Sequence, residues 1–357
     1  MMKMPSAPEE TAAAGELGPV LSAMGAGAGA RMRPRIALLS NPKSTGNLAQ
    51  LPRIREFCAE HPDIFHYEVE HASQIGEAMR VIARVRPCVL AINGGDGTVQ
   101  ATLTELYNGG HFGDCPPPPV AVLPSGKTNL IAFDLGARGD PIETLEQLIA
   151  LARSDLAPYT VARELIALRS GANGDERPVI GMFLGGAGLA DTMLYCRDKI
   201  YPLGLPNGMA HILTGLALLV KLFLKIRASF LPPDLQPLKV SVSERGETLD
   251  GRFSLLAVTT LEKLLLANNV EAQRRGVLKL LAVEERPSTV LRVVVSLIAG
   301  NLGKFSVRGV HYEEADEITI EGDSSHVILD GETFRAERGQ PINLRPAQPL
   351  SFVKLAA

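Results

Sequence analysis

The sequence predicts an α/β domain built on a parallel sheet, followed by a second, largely antiparallel domain. Three short buried-strand runs, 36–40, 87–92 and 120–123, each lead through a Gly/Ser/Thr-rich loop into a helix-like segment. Successive strand-loop-helix units need crossover helices lying over a parallel sheet. From about residue 159 this periodicity gives way to short strand-like runs separated by turns, the texture of antiparallel pairing. The length of 357 residues fits about two domains of ~150 residues with chain left over.

The elements follow in order. The first 30 residues hold 8 Ala, 5 Gly and 3 Pro, and they carry Glu9, Glu10 and Glu16 where a secretory signal would need a basic start and an apolar block. Residues 1–33 therefore read as a flexible tail. The strand 36–40 ends in the turn-rich loop Asn41-Pro42-Lys43-Ser44-Thr45-Gly46, and a helix follows over 48–60. A strand over 65–69 leads to a helix over 73–85, with Ile75, Met79 and Ile82 spaced for one face. The strand 87–92 runs into Gly94-Gly95-Asp96-Gly97-Thr98, after which helical periodicity resumes over 99–106. The strand 120–123 feeds Pro124-Ser125-Gly126-Lys127-Thr128-Asn129, and 130–135 reads as helix. The later strands fall at 163–168, 179–184, 238–242, 253–259, 277–283, 318–320 and 327–329, with one helical block over 208–227. The expected boundaries are 34–158, with a return of the chain over about 340–357, for the first domain and 159–339 for the second.

Composition removes several function classes. Hydrophobic residues at 46% and charged residues at 21% exclude wholesale disorder. Lys+Arg 36 against Asp+Glu 39 leaves a net charge of −3, without the basic excess that drives nucleic-acid binding. The absence of Trp and 5% aromatics argue against stacking platforms for single strands. Cys58, Cys88, Cys115 and Cys196 form no CxxC or Cys/His cluster, which fits a reducing cytoplasm rather than a disulfide framework or a zinc site. The dispersed histidines show neither metal-ligand spacing nor a Ser/His/Asp arrangement. The longest apolar stretch, 212–226, is broken by Lys221 and Lys225 and is shorter than the ~20 residues of a membrane span. Any membrane contact is expected to be local and peripheral.

The chemistry is concentrated in the loops. In a parallel sheet the carboxyl ends of the strands carry the ligand, so all three Gly/Ser/Thr-rich loops are expected on one rim. A glycine-rich loop there lets backbone N–H groups approach phosphate oxygens, and the following helix N-terminus adds a favourable dipole. Asn41-Pro42-Lys43-Ser44-Thr45-Gly46 and Gly94-Gly95-Asp96-Gly97-Thr98 both have this context, and neither is a Walker A loop or a G-x-G-x-x-G fingerprint. Asp96, between two glycines, would repel bare phosphate. It makes sense with a bridging Mg²⁺ or as a base near an acceptor hydroxyl, or else as a helix N-cap.

Asn41-Pro42-Lys43-Ser44, Gly94-Gly95-Asp96-Gly97-Thr98, Pro124-Ser125-Gly126-Lys127-Thr128-Asn129 and the late Leu329-Asp330-Gly331-Glu332, in this order and spacing, resemble the diacylglycerol kinase catalytic-domain family, which includes bacterial soluble lipid kinases, sphingosine kinases and ceramide kinases. The resemblance implies an α/β nucleotide-binding domain with an NAD kinase-like parallel sheet, then a β-sandwich lipid-binding domain, with ATP in the cleft between them. It implies that Asn41, Pro42, Lys43, Ser44, Thr45, Gly94, Gly95, Asp96, Gly97 and Thr98 hold ATP phosphates, and that Ser125, Gly126 and Asn129 complete the nucleotide rim. Asp330 and Glu332 fall on the family's Asp-Gly-Glu loop, with Glu332 the usual candidate base. By the residues alone, Asp330-Gly331 is equally a hairpin turn.

The chain departs from that pattern in places. Gly126-Lys127-Thr128-Asn129-Leu130 stands where many members have Gly-Thr-Gly-Asn-Asp. Lys127 is either a cation for the β- or γ-phosphate or a solvated loop lysine. After Thr98 the chain reads Val-Gln-Ala-Thr where relatives often have Asn-Glu-Val, so one acidic metal partner is missing. Around Arg274 to Lys279 the acids of a structural Mg²⁺ site are basic or absent. The block 208–227, with Lys221, Lys225 and Arg227 beside its apolar stripe, reads either as core or as an interfacial segment.

The expected function is an ATP-dependent lipid kinase that transfers the γ-phosphoryl group of Mg·ATP to the hydroxyl of diacylglycerol or a ceramide or sphingoid-type lipid. Asp96 would engage metal or acceptor, and Glu332 or Asp330 would take the proton. The expected partner is a lipid at the membrane surface, with no nucleic acid and with homodimerisation left open. The alternatives are an NAD or other small-molecule kinase, which shares Gly-Gly-Asp-Gly-Thr, and a non-catalytic member that binds nucleotide or lipid.

Overall fold

The structure, a computed structural model, describes residues 35–171, 177–200, 234–243, 246–262, 276–298 and 308–355. The first part is a doubly covered parallel sheet. Strands β1 (Ile36–Ser40), β2 (Ile64–Glu68), β3 (Val89–Asn93) and β4 (Val120–Val122) lie in the order β2-β1-β3-β4 and pair in parallel throughout. Helices α1 (Asn47–Glu60), α2 (Ile75–Val85), α3 (Asp96–Asn108), α4 (Leu130–Asp134) and α5 (Pro141–Arg153) complete it.

The strands read as continuous apolar runs because both faces are buried. Ala37, Leu39, Leu90 and Ile92 pack with Ile75, Met79 and Ile82 of α2 and Val99 and Leu103 of α3. Their neighbours Ile36, Leu38, Val89 and Ala91 pack on the other face with Ile54 and Phe57 of α1 and Leu145 and Leu148 of α5. This is the period of two that a strand imposes on its side chains.

Two differences from the sequence reading concern helices. The helix expected over 99–106 begins at Asp96, since Gly95 takes an extended conformation and serves as its N-cap. Asp96 therefore occupies the first helical turn, where the dipole favours a carboxylate, rather than the exposed tip of a loop. The sequence reading assigned nothing over 141–153, yet α5 forms there, with Asp140 accepting a bond from the Ile142 amide at 2.9 Å and Pro141 opening the helix.

The second part is a sandwich. The parallel sheet continues through β16 (Ile342–Val353) into antiparallel strands β13 (Ile318–Gly322), β8 (Leu238–Val242) and β9 (Glu247–Gly251), while β5 (Thr160–Ser170) also pairs β16 and carries β6 (Val179–Gly181). A separate six-stranded antiparallel sheet is formed by β12 (Val310–Ala315), β11 (Leu278–Glu284), β10 (Phe253–Thr259), β7 (Phe183–Gly186), β14 (Ser325–Leu329) and β15 (Glu332–Ala336), in that order. Their inner faces share one core: Ile166, Val240, Ile320 and Leu344 from the first sheet meet Leu256, Leu280, Val327 and Ala336 from the second. Strands 238–242 and 253–259 lie where the sequence reading put them.

A charge cluster, with Asp134 and Arg163 buried and Glu262 exposed, ties the two parts. Asp134 at the end of α4 accepts from the Glu262 amide at 3.0 Å, and Arg163 on β5 pairs with both Asp134 and Glu262. The helical block expected over 208–227 and the first two residues of the basic stretch, Arg274 and Arg275, lie outside the described residues. Within that stretch Lys279 is described, and its ammonium donates to the Leu261 carbonyl at 3.2 Å. The four cysteines are free. Among the described residues, no helix is long and apolar enough to cross a membrane.

Candidate active site

Three of the loops singled out in the sequence meet at the carboxyl edge of the parallel strands. The Asn41 amide accepts a hydrogen bond at its Oδ1 from the Lys43 backbone N–H at 2.9 Å and donates from its Nδ2 to Thr98 Oγ1 at 2.9 Å. Asn41 thus folds its own turn and fastens it to the first turn of α3. Buried Ser44 donates to the Ser125 carbonyl at 3.1 Å, so the first loop also touches the third. A side chain at Gly46 would run into that same Ser125 carbonyl, so the close approach requires glycine there.

The third loop closes on itself. Asn129 takes the left-handed conformation, φ 53°, which asparagine tolerates better than most residues, and its Oδ1 accepts from the Gly126 amide at 2.7 Å. Gly126 in turn lies against Gly95, with an imagined Cβ 3.1 Å from the Gly95 Cα. Gly95 is different: a Cβ built there would meet only Ser44 Oγ, at 3.6 Å. Protein atoms leave the space above Gly95 open at the start of α3, where a helix's first N–H groups lack i−4 partners, although the Thr98 N–H already donates to the Gly95 carbonyl.

The late Asp330-Gly331-Glu332 turn arrives at this rim from the sandwich. It connects β14 to β15, so it is indeed the tip of a hairpin. Gly331, at φ 94°, packs on Asp96 and Gly97, and a Cβ on Gly97 would lie 2.9 Å from Glu332 Oε1. The hairpin and the Gly94–Thr98 loop therefore meet at one place. Glu332 is exposed and Asp330 is buried, so the two acids of the turn have different surroundings.

Asp330 is anchored. Its two carboxyl oxygens accept from the Met182 amide at 2.7 Å and the Phe183 amide at 3.0 Å, and its own N–H donates to the Phe183 carbonyl. Burial pushes its carboxyl up to about 8, with the Asp96 charge adding and the two amide bonds opposing. Asp96 is pushed up to about 6 by burial, against a hydrogen bond from Thr128. Two carboxyls with raised pKa values share the rim with open helix amides, a concentration typical of sites that handle charge.

The structure thus brings Asn41, Ser44, Gly94, Gly95, Asp96, Gly97, Thr98, Ser125, Gly126, Asn129, Asp330 and Glu332 into one contact network. Pro42, Thr45 and Lys127 lie on the same loops, the last two exposed. The Lys43 ammonium turns aside, to Glu70 and His71, each at 3.1 Å. Sequence reasoning missed Thr128 and the Met182–Phe183 amides that receive Asp330. Thr128 carried a signal, since it sits inside a motif already singled out, whereas backbone amides carry none.

Among the described residues no group of three or more His, Cys, Asp or Glu could hold a metal ion by itself. Mg²⁺ commonly takes one or two carboxylates and completes its shell with substrate phosphates and water. Asp96, half-buried at the start of α3 with a carboxyl that burial pushes up to about 6, fits that single-carboxylate pattern.

The fold and site define a class of architecture: an α/β domain whose Gly/Ser/Thr-rich loops meet on one rim, joined to a β-sandwich that brings an acidic hairpin to that rim. Residues 35–161 match the family model of the diacylglycerol kinase catalytic domain. The chain is similar in fold to a crystal structure from Bacillus anthracis str. Sterne, provisionally called a diacylglycerol kinase, with TM-score 0.59 and 17% identity over 90% of this chain and 96% of that one. A second structure of a diacylglycerol kinase from the same organism aligns with TM-score 0.55 and 16% identity over the same shares. No curated protein matches. The resemblance read from the loops thus reappears as a family match over 35–161 and a shared fold over most of the chain.

Proposed function

We propose that this protein is an ATP-dependent lipid kinase, transferring the γ-phosphoryl group of ATP to the hydroxyl of diacylglycerol or of a ceramide or sphingoid-type lipid. The observation that carries the proposal is the seating of Gly331 and Glu332 against Asp96 and Gly97. A base for the acceptor and a cradle for the donor are then neighbours on rigid elements.

In this reading the phosphates lie over Gly95, where backbone approach is open, and the N–H groups of the first turn of α3 face their oxygens. Mg²⁺, held by Asp96, would supply charge neutralisation at the transferring group. Glu332 takes the proton from the lipid hydroxyl as its oxygen bonds to the γ-phosphorus and the bond to the β–γ bridging oxygen breaks, releasing ADP. Asp330 does not compete for this role. Its two oxygens are committed to Met182 and Phe183, so it holds the turn that presents Glu332. The protein contributes position and electrostatics, which is what a loose phosphoryl-transfer transition state requires.

The lipid acts at a membrane surface, and the apolar block 208–227 with its flanking lysines is the proposed region of contact. The test is turnover of labelled ATP with mixed micelles of diacylglycerol, ceramide or sphingosine, beside NAD. Phosphorylated lipid supports the proposal, phosphorylated NAD overturns it, and ATP binding without any turnover favours the non-catalytic reading that the departures at Lys127 and Leu130 suggest.

A further inference from the structure

Beneath the phosphate rim lies a buried polar ladder that none of the assigned residues accounts for. Asn47, the first residue of α1, donates from one side-chain amide to the Asn41 carbonyl at 2.8 Å and to the Asn93 carbonyl at 3.0 Å. Asn41 opens the first phosphate loop and Asn93 is the last residue of β3 before Gly94. The Asn93 carbonyl also accepts from the Asn41 backbone N–H at 2.9 Å. The Asn93 side chain donates to Ser40 Oγ at 2.9 Å, and Ser40 Oγ meets His66 Nε2 at 2.8 Å. The ladder therefore crosses β3, β1 and β2 at the level where the loops depart.

Ser40, Asn47 and Asn93 are fully buried. The amide oxygens of both asparagines are buried as well, and neither has a hydrogen-bond partner. A buried amide that uses only its donors is costly, and apolar side chains of similar size would avoid that cost. What the donors accomplish here is local: they fix the spacing of two carbonyls from which the two phosphate loops spring.

We propose that Asn47 and Asn93 are positioning residues for the phosphate cradle, setting the separation of the Asn41 and Gly94 loops so that both can engage one polyphosphate. The inference rests on the kinase reading above and adds residues that make no contact with nucleotide. Asn47 would act through Asn41 and through the Asn93 carbonyl, and Asn93 would act through Ser40. Small misplacements of such a cradle are expensive in rate and affinity.

The test uses the full chain and measures ATP affinity by calorimetry, the KM for ATP and for lipid, and the thermal midpoint. Asn47→Leu should raise the Kd and the KM for ATP by at least ~10-fold, with the lipid KM within about twofold of wild type. Asn47→Gln, which keeps a donor, should recover part of that loss. Ser40→Ala folds a smaller change into a conservative substitution, and a rise of about threefold in the ATP Kd is expected from it. Variants that lose thermal stability while ATP affinity stays within about twofold of a binding wild type would overturn the positioning role and leave the kinase reading standing. A wild type that binds no ATP would instead remove the kinase reading.

Discussion

Asp96 and Glu332 both lie beside Gly97, and their substitutions should separate chemistry from stability. Asp96 titrates near 6 in the fold against about 4 in an unfolded chain, because burial disfavours its charge. The folded state holds the extra proton between those values, so this contribution is complete below about pH 4 and lost as the pH rises through 6. Asp96→Asn should then lower kcat by at least ~100-fold while raising the thermal midpoint at pH 8, in metal-free buffer, by the equivalent of up to about 2–3 kcal/mol. At pH 4 the stabilities should converge. Glu332→Gln should lower kcat by a similar ~100-fold with no change in midpoint, because the side chain is exposed. Near-normal turnover in both variants would remove the assigned roles. The sequence made both acids visible, through the glycines beside them. It did not separate Asp330 from Glu332, because the difference between a tethered and a reactive carboxyl comes from the Met182 and Phe183 amides, which have no side-chain signature.

The glycines of the loops divide by what surrounds them, although the sequence writes them alike. Gly95 has open space on its Cβ side and Gly46 has the Ser125 carbonyl. Gly95→Val should leave the thermal midpoint near wild type and abolish ATP binding in calorimetry, whereas Gly46→Val should destabilise the fold because the third loop must move. Equal effects on stability would mean that the open face of Gly95 is not where a ligand lies. Most elements were legible from periodicity, since β1 and β3 are apolar on both faces and α2 is one-sided. Helix starts were harder. Asp96 looked like a loop residue because two glycines flank it, yet Gly95 is the cap; and α5 was missed although Asp140-Pro141 is a well-formed start signal, because the turn glycines Gly136 and Gly139 just before it make the stretch read as loop.

At the scale of the whole molecule, the two parts meet through the hairpin at Gly331 and the charge cluster of Asp134, Arg163 and Glu262. The proposed nucleotide and lipid functions should nevertheless be separable by mutation. Replacing Leu219 and Phe223 with Ser should weaken flotation with liposomes and raise the lipid KM while the KM for ATP stays the same, as expected for local apolar insertion by a chain of net charge −3. An aggregated double mutant with no specific lipid effect would assign that stripe to the core. In the antiparallel half the apolar strands over 238–242, 253–259 and 278–284 were legible, whereas the more polar β9, β12 and β15 were not. The long β16 was read merely as a return of the chain, because Pro346 and Pro349 interrupt its alternation, and the register shift between Ala347 and Leu350 absorbs that break.

β16 has a consequence for how the protein can be cut. It pairs in parallel with β4 at Val120 and Phe352, runs antiparallel to β5, and sends the Leu355 amide to the Leu135 carbonyl. The segment 35–161 that matches the family model therefore borrows its flank from a strand far along the chain. Produced alone, that segment would expose the β4 edge to its neighbours. We expect it to precipitate or to multimerise on size exclusion, and we expect added peptide spanning 340–355 to recover some monomer, as a donated strand does in fragment complementation.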